Sequence, residues 1–266
     1  MPVSLDQIVA STRRKLAEVR RVADRRQLER QADLHVPRGF RRALAAVSRT
    51  IPAVIAELKK ASPSRGLIRA DFDPGNLAKE LEYAGAAALS VLTDAEFFQG
   101  SLQNLQLASA ATKLPCLRKD FIVDEFQLLE ARAHGADAIL LIVAALSPAE
   151  LGQLTVQAGD YSLDVLCEVH DERELQRAVD AGCDLIGVNS RDLRTFQVDL
   201  ETALRLAEQI PSNAVRVAES GIHSAADVAR LRWAGYHAIL VGESLMKAKS
   251  PGEALRSLTL NPEVVR

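Results

Sequence analysis

The sequence is poor in aromatic residues and in cysteine, and it has no long uncharged apolar run. Its cysteines, Cys116, Cys167 and Cys183, are too widely spaced to form a metal-ligand motif, so we expect no metal site. We expect these cysteines to be reduced and mostly buried, as in a cytoplasmic protein. The lack of a long apolar run argues against a membrane span, and the N-terminus lacks the apolar core of a secretory signal.

Net charge is also small, at −2, but it is unevenly distributed. Residues 1–49 contain 12 Arg and Lys against 5 Asp and Glu, while the rest of the chain contains 21 against 30. A basic arm can bind nucleic acid, but acids interleave with these arginines at helical spacing, and aromatic residues that would stack on bases are nearly absent. We therefore predict that residues 4–30 form an amphipathic helix docked on an acidic body, and that the chain binds neither nucleic acid nor membrane.

From residue 51 onward one unit repeats, namely an apolar run, a polar turn and a helical stretch. The predicted strands are 51–57, 87–92, 115–119, 137–142, 163–168, 184–188, 214–219 and 237–241. The predicted helices are 73–84, 101–112, 124–134, 147–158, 171–180, 200–209, 224–233 and 251–258. Continuously apolar runs such as 137–143 indicate parallel strands covered by helices. Eight units predict an α/β fold, a closed (β/α)8 TIM barrel of residues 49–266, behind a helical extension of residues 1–48.

An open, doubly wound sheet is the competing fold, and it normally has fewer strands and a glycine-rich first crossover. The first turn here reads KKASPSRG, which is not such a crossover. In a barrel, functional side chains lie at the C-terminal ends of the strands. We expect residues 1–45 of the extension to pack over that face, with Leu5, Ile8, Val9, Leu16 and Val19 supplying the apolar contacts.

Charged residues stand at the ends of several predicted strands. Glu57 and Lys59 end the first strand, and their spacing puts both on one face. The third strand ends at Lys119, the fifth at Glu168 and the seventh at Glu219. Two lysines and three glutamates at one mouth exceed what structural ion pairs require, so they predict a site for an anionic small molecule.

Two further turns resemble a phosphate cradle. Ser220-Gly221 and Gly242-Glu243 each follow a strand and precede a helical turn. Glycine allows backbone N–H groups to approach an anion closely, and barrels often bind phosphate after strands seven and eight.

Seven segments, in order, resemble the indole-3-glycerol phosphate synthase family: ELKKASPSRG, VLTDAEFFQGS, LRKDFIVDEFQ, EVHDERELQRA, VNSRDLRTFQVDL, AESGI and LVGESLM. The resemblance spans about residues 50–247. It implies a carbon-carbon lyase (carboxy-lyase) of tryptophan biosynthesis. This lyase would close the ring of 1-(2-carboxyphenylamino)-1-deoxyribulose 5-phosphate, then decarboxylate and dehydrate it to indole-3-glycerol phosphate. It also implies no metal or organic cofactor, and we expect a cytoplasmic monomer or weak homodimer.

The resemblance implies individual roles as well. Lys119 would be the acid for ring closure, Glu168 the acid or base of dehydration, and Lys59 the contact for the substrate carboxylate, positioned by Glu57. Asn189 and Ser220 would orient the substrate. The predicted substrate-binding residues are Ser62, Phe98, Phe121, Arg191, Leu193, Glu219, Gly221, Leu240, Gly242 and Glu243, the last through its backbone.

Several alternatives remain open. Phosphoribosylanthranilate isomerase is a related sugar-phosphate barrel, although it would want a cysteine base where this chain has Glu57 and Lys59. A Schiff-base aldolase would use Lys119, and a non-catalytic barrel would only bind a ligand. His170, two residues beyond Glu168, looks like a catalytic base, but a structural role is favoured because it opens the next helix. Trp233 is interpreted as a packing residue, and Arg118 with Asp120 as a structural ion pair.

Overall fold

The computed structural model describes residues 4–46, 51–192, 195 and 197–260. The strands are β1 Ala53–Leu58, β2 Ala61–Ser62, β3 Gly66–Leu67, β4 Ala88–Leu92, β5 Cys116–Lys119, β6 Ala138–Ile142, β7 Asp164–Val169, β8 Leu185–Asn189, β9 Val215–Glu219 and β10 Ala238–Val241. Eight of them are parallel and close into a barrel in the order β1, β10, β9, β8, β7, β6, β5, β4. The predicted barrel is confirmed, because each predicted strand lies within two residues of an observed one.

The helices cover the outside of the barrel and extend before it. They are α1 Leu5–Val22, α2 Arg25–Leu34, α3 Phe40–Ala46, α4 Pro74–Tyr83, α5 Ala95–Phe98, α6 Leu102–Ala111, α7 Phe126–Ala133, α8 Pro148–Asp160, α9 Glu172–Asp180, α10 Glu201–Leu206, α11 Ala225–Trp233, α12 Glu243–Lys247 and α13 Pro251–Thr259. Two predicted helix starts are confirmed, because Ser147 caps α8 and Asp171 caps α9 through their side chains. Within the described residues, no helix combines the length and apolarity that crossing a membrane requires.

Apolar side chains form two layers of core. The outer layer lies between the strands and the helices, and includes Leu81, Leu105 and Ile139. The inner layer fills the barrel, and includes Ile55 and Leu117. This alternation of inward and outward residues is what parallel strands covered by helices require, and it explains why the strand sequences are continuously apolar.

Helix α3 closes the end of the barrel opposite its C-terminal face. Phe40 and Leu44 are fully buried in the inner core layer. The backbone N–H of Arg41 donates to Asp164 at the start of β7, over 2.8 Å. This plug was not predicted from the sequence.

Helix α1 lies at the C-terminal face, as expected for the extension. Its Ser11 donates to Glu96 over 2.7 Å, and its Arg13 and Arg20 pair with Glu150 and Asp124. These three acids follow strands β4, β6 and β5, so they lie at the barrel mouth. The extension therefore runs from the mouth, where α1 lies, to the opposite end, where α3 lies. The prediction that residues 1–45 as a whole pack over the mouth is wrong for α3.

The predicted single helix of residues 4–30 is two helices. Helix α1 ends at Val22, and the Asp24 carboxylate accepts from the backbone N–H of Gln27 at the start of α2, over 3.0 Å. An aspartate that caps a helix start competes with continuation of the preceding helix, which explains the break. The predicted domain boundary between residues 48 and 49 lies outside the described residues.

Two other expectations are wrong. Cys167 and Cys183 form a disulfide, although Cys116 is free and buried as predicted. Cys167 lies on β7 and Cys183 lies just before the neighbouring strand β8, so their Cα atoms are 6.5 Å apart, a proximity that wide sequence spacing does not reveal. Trp233 is 88% exposed at the end of α11, because Tyr236 fills the adjacent core and donates to the Ala203 carbonyl.

Candidate active site

A pocket opens at the C-terminal ends of the barrel strands. Leu5 and Ile8 of α1 form part of its wall, so the extension contributes to the site. The predicted residue Leu193 lies outside the described residues. All the other predicted site residues line the pocket: Glu57, Lys59, Ser62, Phe98, Lys119, Phe121, Glu168, Asn189, Arg191, Glu219, Ser220, Gly221, Leu240, Gly242 and Glu243.

Lys119 lies at the centre of the pocket floor. Its ammonium nitrogen is 2.9 Å from Glu168 Oε2 and 3.5 Å from Glu219 Oε2; both glutamates are buried and Lys119 is largely buried. Burial alone would lower the pKa of Lys119, but the carboxylates of Glu168 and Glu219 outweigh it and raise the pKa above its ordinary value. Lys119 is therefore a cation that is held in place and can donate a proton in a hydrogen bond.

The two glutamates beside Lys119 differ in charge. Burial favours the neutral form of both, but Lys119 and His170 overcome it at Glu168 and lower the pKa of that carboxyl. At Glu219, burial and the nearby Glu168 and Glu57 raise the pKa to about 8 against the pull of Lys119. These opposite shifts favour an ionised Glu168 and a protonated Glu219 at neutral pH. One can accept a proton while the other can donate a hydrogen bond.

Glu57 and Lys59 form a second ion pair on the wall. Glu57 Oε2 is 2.6 Å from the Lys59 ammonium, and both side chains point into the pocket as their spacing predicted. The Glu57 carboxylate lies directly against Gly242, where a Cβ atom would overlap it. A glycine at position 242 is therefore required by the position of Glu57.

Gly187 on β8 makes similar room for Glu219. A Cβ atom there would overlap Glu219 Oε1. That oxygen has no hydrogen-bond partner among the described residues. It remains available to a ligand, because a buried polar atom without a partner is costly unless something binds it.

Arg118 and Asp120 flank Lys119 and form the predicted structural ion pair. Their side chains are buried, with guanidinium and carboxylate 3.0 Å apart. Asp120 also accepts from Thr93 and from the backbone N–H of Phe121. These bonds fix the backbone on both sides of Lys119, and they hold Phe121 over the pocket.

Phe98 and Phe121 form an apolar wall. Their ring centroids are 6.2 Å apart with planes inclined at 39°. Phe98 belongs to α5, whose start is fixed by Asp94 through bonds to two backbone N–H groups. Leu240 at the barrel end adds a further apolar surface. A flat aromatic ligand matches such a wall.

The turns after β9 and β10 expose backbone to the pocket. Ser220 and Gly221 have φ angles of 65° and 76°, a conformation that turns the chain sharply after Glu219. Gly242 ends β10, and α12 starts at Glu243. The Glu243 carboxylate forms ion pairs with two arginines, Arg65 at 3.0 Å and Arg191 at 3.7 Å. Two cations are thereby held beside the turns.

The family model of indole-3-glycerol phosphate synthase matches residues 5–258. This chain belongs to the indole-3-glycerol phosphate synthase family. It is 61% identical to the indole-3-glycerol phosphate synthase of Koribacter versatilis over 258 residues, covering 97% of this chain and 99% of that relative.

Two solved structures share only the fold. A thiamine phosphate pyrophosphorylase from Pyrococcus furiosus superposes with a TM-score of 0.60 at 17% identity, covering 79% of this chain and 95% of its own. A mandelate oxidase variant gives 0.56 at 19% identity, covering 79% and 69%. At this identity the likeness carries no argument on chemistry.

Some residues of the family member's site were missed at the level of sequence. His170 contacts Glu168, whereas a structural role at the start of a helix was favoured for it over that of a catalytic base. Gly187 was not singled out, because a glycine within a strand gives no signal of the side chain that it accommodates. Leu5 and Ile8 were predicted to dock α1 but not to line the pocket. The signal available for His170 was its spacing of two from Glu168 at the end of a strand.

Proposed function

We propose that this chain is an indole-3-glycerol phosphate synthase. It converts 1-(2-carboxyphenylamino)-1-deoxyribulose 5-phosphate into indole-3-glycerol phosphate, carbon dioxide and water, a carboxy-lyase reaction of tryptophan biosynthesis. The observation that carries the proposal is Lys119 between the carboxyl groups of Glu168 and Glu219, in a pocket with an aromatic wall. Membership of the synthase family over residues 5–258 supports the same activity.

Ring closure begins at the ketose carbonyl. The ring carbon that bears the carboxylate attacks the carbonyl carbon, and Lys119 donates a proton to the carbonyl oxygen as negative charge develops there. Its buried cation is suited to this because little water competes for the developing charge. Loss of carbon dioxide from the attacking carbon then restores the aromatic ring.

Lys59 binds the carboxylate that is to be lost, and Glu57 holds the Lys59 ammonium at 2.6 Å. The same Glu57 carboxylate stabilises positive charge that develops on the ring nitrogen. Lys59 and Glu57 on one wall thus contact the carboxylate and the nitrogen of the anthranilate group, respectively.

Dehydration follows at the former ketose carbon. The hydroxyl leaves as water, and the neighbouring methylene carbon beside the nitrogen loses a proton to form the pyrrole double bond. Glu168 is the base for this proton, because Lys119 and His170 keep it ionised. Glu219, neutral at pH 7, donates a hydrogen bond to a substrate oxygen.

The rest of the predicted site orients the substrate. Asn189 and Ser220 bind its hydroxyl groups, and Phe98, Phe121 and Leu240 contact its aromatic ring. The phosphate binds to Ser62, Arg191 and the backbone of Gly221, Gly242 and Glu243. This placement is supported by the fact that all of these residues line the same pocket. Leu193 remains a predicted binding residue.

The remaining proposals concern the whole chain. Residues 1–48 form an extension packed on a catalytic barrel of residues 49–266. The enzyme acts in the cytoplasm as a monomer or weak homodimer on a small anionic substrate, without binding nucleic acid. The proton transfers described above are assigned to side chains of this protein.

The direct test is to add the carboxyphenylamino-deoxyribulose phosphate and to follow indole fluorescence. We expect a fluorescent product, and we expect inorganic phosphate to inhibit competitively by occupying the turns after β9 and β10. Turnover to a non-indole isomer, or a covalent adduct trapped by borohydride, would instead support an isomerase or an aldolase.

A further inference from the structure

His170 lies next to Glu168 on the side away from Lys119. It follows β7 and precedes α9, and its ring is largely buried. Glu168 Oε2 contacts Lys119, whereas Glu168 Oε1 is 3.4 Å from His170 Nε2. The two oxygens of one carboxylate therefore face two different cationic groups.

The other nitrogen of the His170 ring is anchored. Nδ1 is 2.9 Å from Glu174 Oε2, and the backbone N–H of His170 donates to the same oxygen over 2.9 Å. Glu174 is itself fixed at the start of α9, where its backbone N–H donates to Asp171. The ring is thus held by a helix start, with Nε2 directed at Glu168.

This arrangement differs from that of two other histidines of the chain, His134 and His237. His134 Nδ1 contacts the Glu130 carbonyl, and His237 Nδ1 contacts the backbone N–H of Arg216. Each of those rings contacts backbone, whereas His170 lies between two carboxylates. Nε2 of His170 is buried and makes no hydrogen bond among the described residues, so Glu168 is the partner it faces.

In the described part of the chain, four other ionisable side chains surround the pair formed by His170 and Glu168. At the Glu168 end, the neighbouring ionisable groups are Lys119 on β5, Glu219 on β9 and Glu57 on β1. At the other end, the carboxylate of Glu174 on α9 faces the His170 ring. Burial alone would lower the pKa of His170, but Glu168 and Glu174 raise it to about 10. The ring is then an imidazolium throughout the range in which the enzyme would work.

We propose that His170 is a positioning residue whose imidazolium, anchored by Glu174, orients Glu168 and keeps it ionised after Lys119 has turned to the substrate. This inference rests on the proposed function, in which Lys119 donates to the ketose oxygen. At that step Glu168 loses its partner at Oε2, and His170 at Oε1 is the cation that remains beside it. Without His170, Glu168 would take up a proton from solvent and would no longer serve as a base.

The test is the pH dependence of kcat, measured from about pH 3.5 to 9 for the wild-type enzyme, His170→Gln and Glu174→Gln, because the pKa of Glu168 lies below the ordinary carboxyl value. The limiting rate at saturating substrate is used because the substrate phosphate itself titrates near about pH 6. Loss of a neighbouring cation raises a carboxyl pKa by about 1–3 units. We expect His170→Gln to show an acid limb shifted upward by about that amount, with KM changed by less than about twofold. Glu174→Gln should shift the acid limb in the same direction, but by less than His170→Gln does.

The matched control is His134→Gln, which removes a histidine at the end of α7 far from the pocket. We expect its pH profile to match that of the wild type. If His170→Gln lowers kcat by the same factor at every pH, the residue has only a structural role and the proposal is overturned. If His170→Gln does not fold, Glu174→Gln decides by the same criterion.

A second measurement does not depend on activity. Nitrogen-15 shifts of the His170 ring should show both nitrogens protonated from pH 6 to 9 in the wild-type protein, and a neutral ring at pH 7 would overturn the proposal. If the wild-type protein makes no indole-3-glycerol phosphate while its ring is charged, the proposed function fails although the ion pair stands. The two failures are thereby distinguished.

Discussion

At the residue scale, one buried cation faces carboxylates in opposite protonation states. Glu57 is paired with Lys59, whereas Lys119 lies against both Glu168 and Glu219. Burial and the neighbouring carboxylates of Glu168 and Glu57 raise the pKa of Glu219. The opposite pKa shifts of Glu168 and Glu219 favour a base and an acid on the two sides of one lysine. This arrangement is typical of pockets that move protons, and it costs stability.

That cost predicts a pH effect on stability. The Glu219 carboxyl has a pKa of about 8 in the folded chain against an ordinary 4.5, so folding takes up a proton between these values. Its contribution is fully present below about pH 4.5 and is lost as the pH rises through about 8. Each unit of pKa difference corresponds to about 1.4 kcal/mol.

Glu219→Gln lacks the titrating carboxyl, so it should not lose this stability as the pH rises. We expect its free energy of unfolding to fall less between pH 5.5 and 8.5 than that of the wild type. Urea denaturation of both proteins at the two pH values measures it. Glu208→Gln, at an exposed position, is the control and should retain the wild-type slope. Equal slopes for Glu219→Gln and the wild type would contradict the protonated state.

Gly242 supports a second prediction at this scale. In Gly242→Ala the new methyl group overlaps the Glu57 carboxylate and must displace it from Lys59. We expect kcat to fall about 10-fold or more and stability to fall by about 1–3 kcal/mol. Gly152→Ala in α8 is a matched control with no atom near the new methyl group, and it should be neutral or stabilising. Unchanged kcat in Gly242→Ala would show that Glu57 need not hold its position.

At the element scale, the strands and outer helices could be predicted because their patterns are local. A buried parallel strand is a short apolar run, and α8 is marked by Ser147 and Pro148 at its start. The break between α1 and α2 depends on the competition between Asp24 as a cap and an uninterrupted helix, which periodicity does not show. The exposure of Trp233 was missed because it depends on which of two nearby aromatics, Trp233 or Tyr236, fills the core.

Helix α1 carries the prediction that belongs to this scale. Its Leu5 and Ile8 line the pocket, and its Ser11 bonds to Glu96, so its removal should open the site to water. We expect deletion of residues 1–23 to raise KM about tenfold, equivalent to about 1.4 kcal/mol, and to lower Tm while leaving the barrel folded. KM, Tm and circular dichroism of both proteins measure this.

The surface ion pairs of α1 are expected to contribute little, because exposed pairs are worth about 0–1 kcal/mol each. Arg13→Gln, which removes only the pair with Glu150, is therefore the control and should change KM by less than about twofold. An unchanged KM after deletion of α1 would show that the helix does not shape the site.

At the scale of the whole molecule, the extension encloses the barrel from both ends. Helix α1 lies at the mouth, and α3 buries Phe40 in the opposite end. The sequence predicted the barrel and the residues of the mouth, because strand ends in a barrel converge whatever the details of packing. It did not predict the bonds between those residues, since distances such as the 2.9 Å from Lys119 to Glu168 depend on barrel register. The same holds for the contact of Cys167 with Cys183.

The most direct test of the account uses substrate labelled with carbon-13 in its carboxyl group, turned over by the wild-type enzyme, Lys119→Met and the exposed-loop control Lys113→Met. Labelled carbon dioxide and indole product are measured together. We predict release in a ratio of one to one by the wild type and by Lys113→Met, and a loss of about 10²–10⁴-fold in Lys119→Met with folding retained. Product without labelled carbon dioxide, or a Lys119→Met variant that keeps more than about a tenth of the wild-type rate, would contradict it.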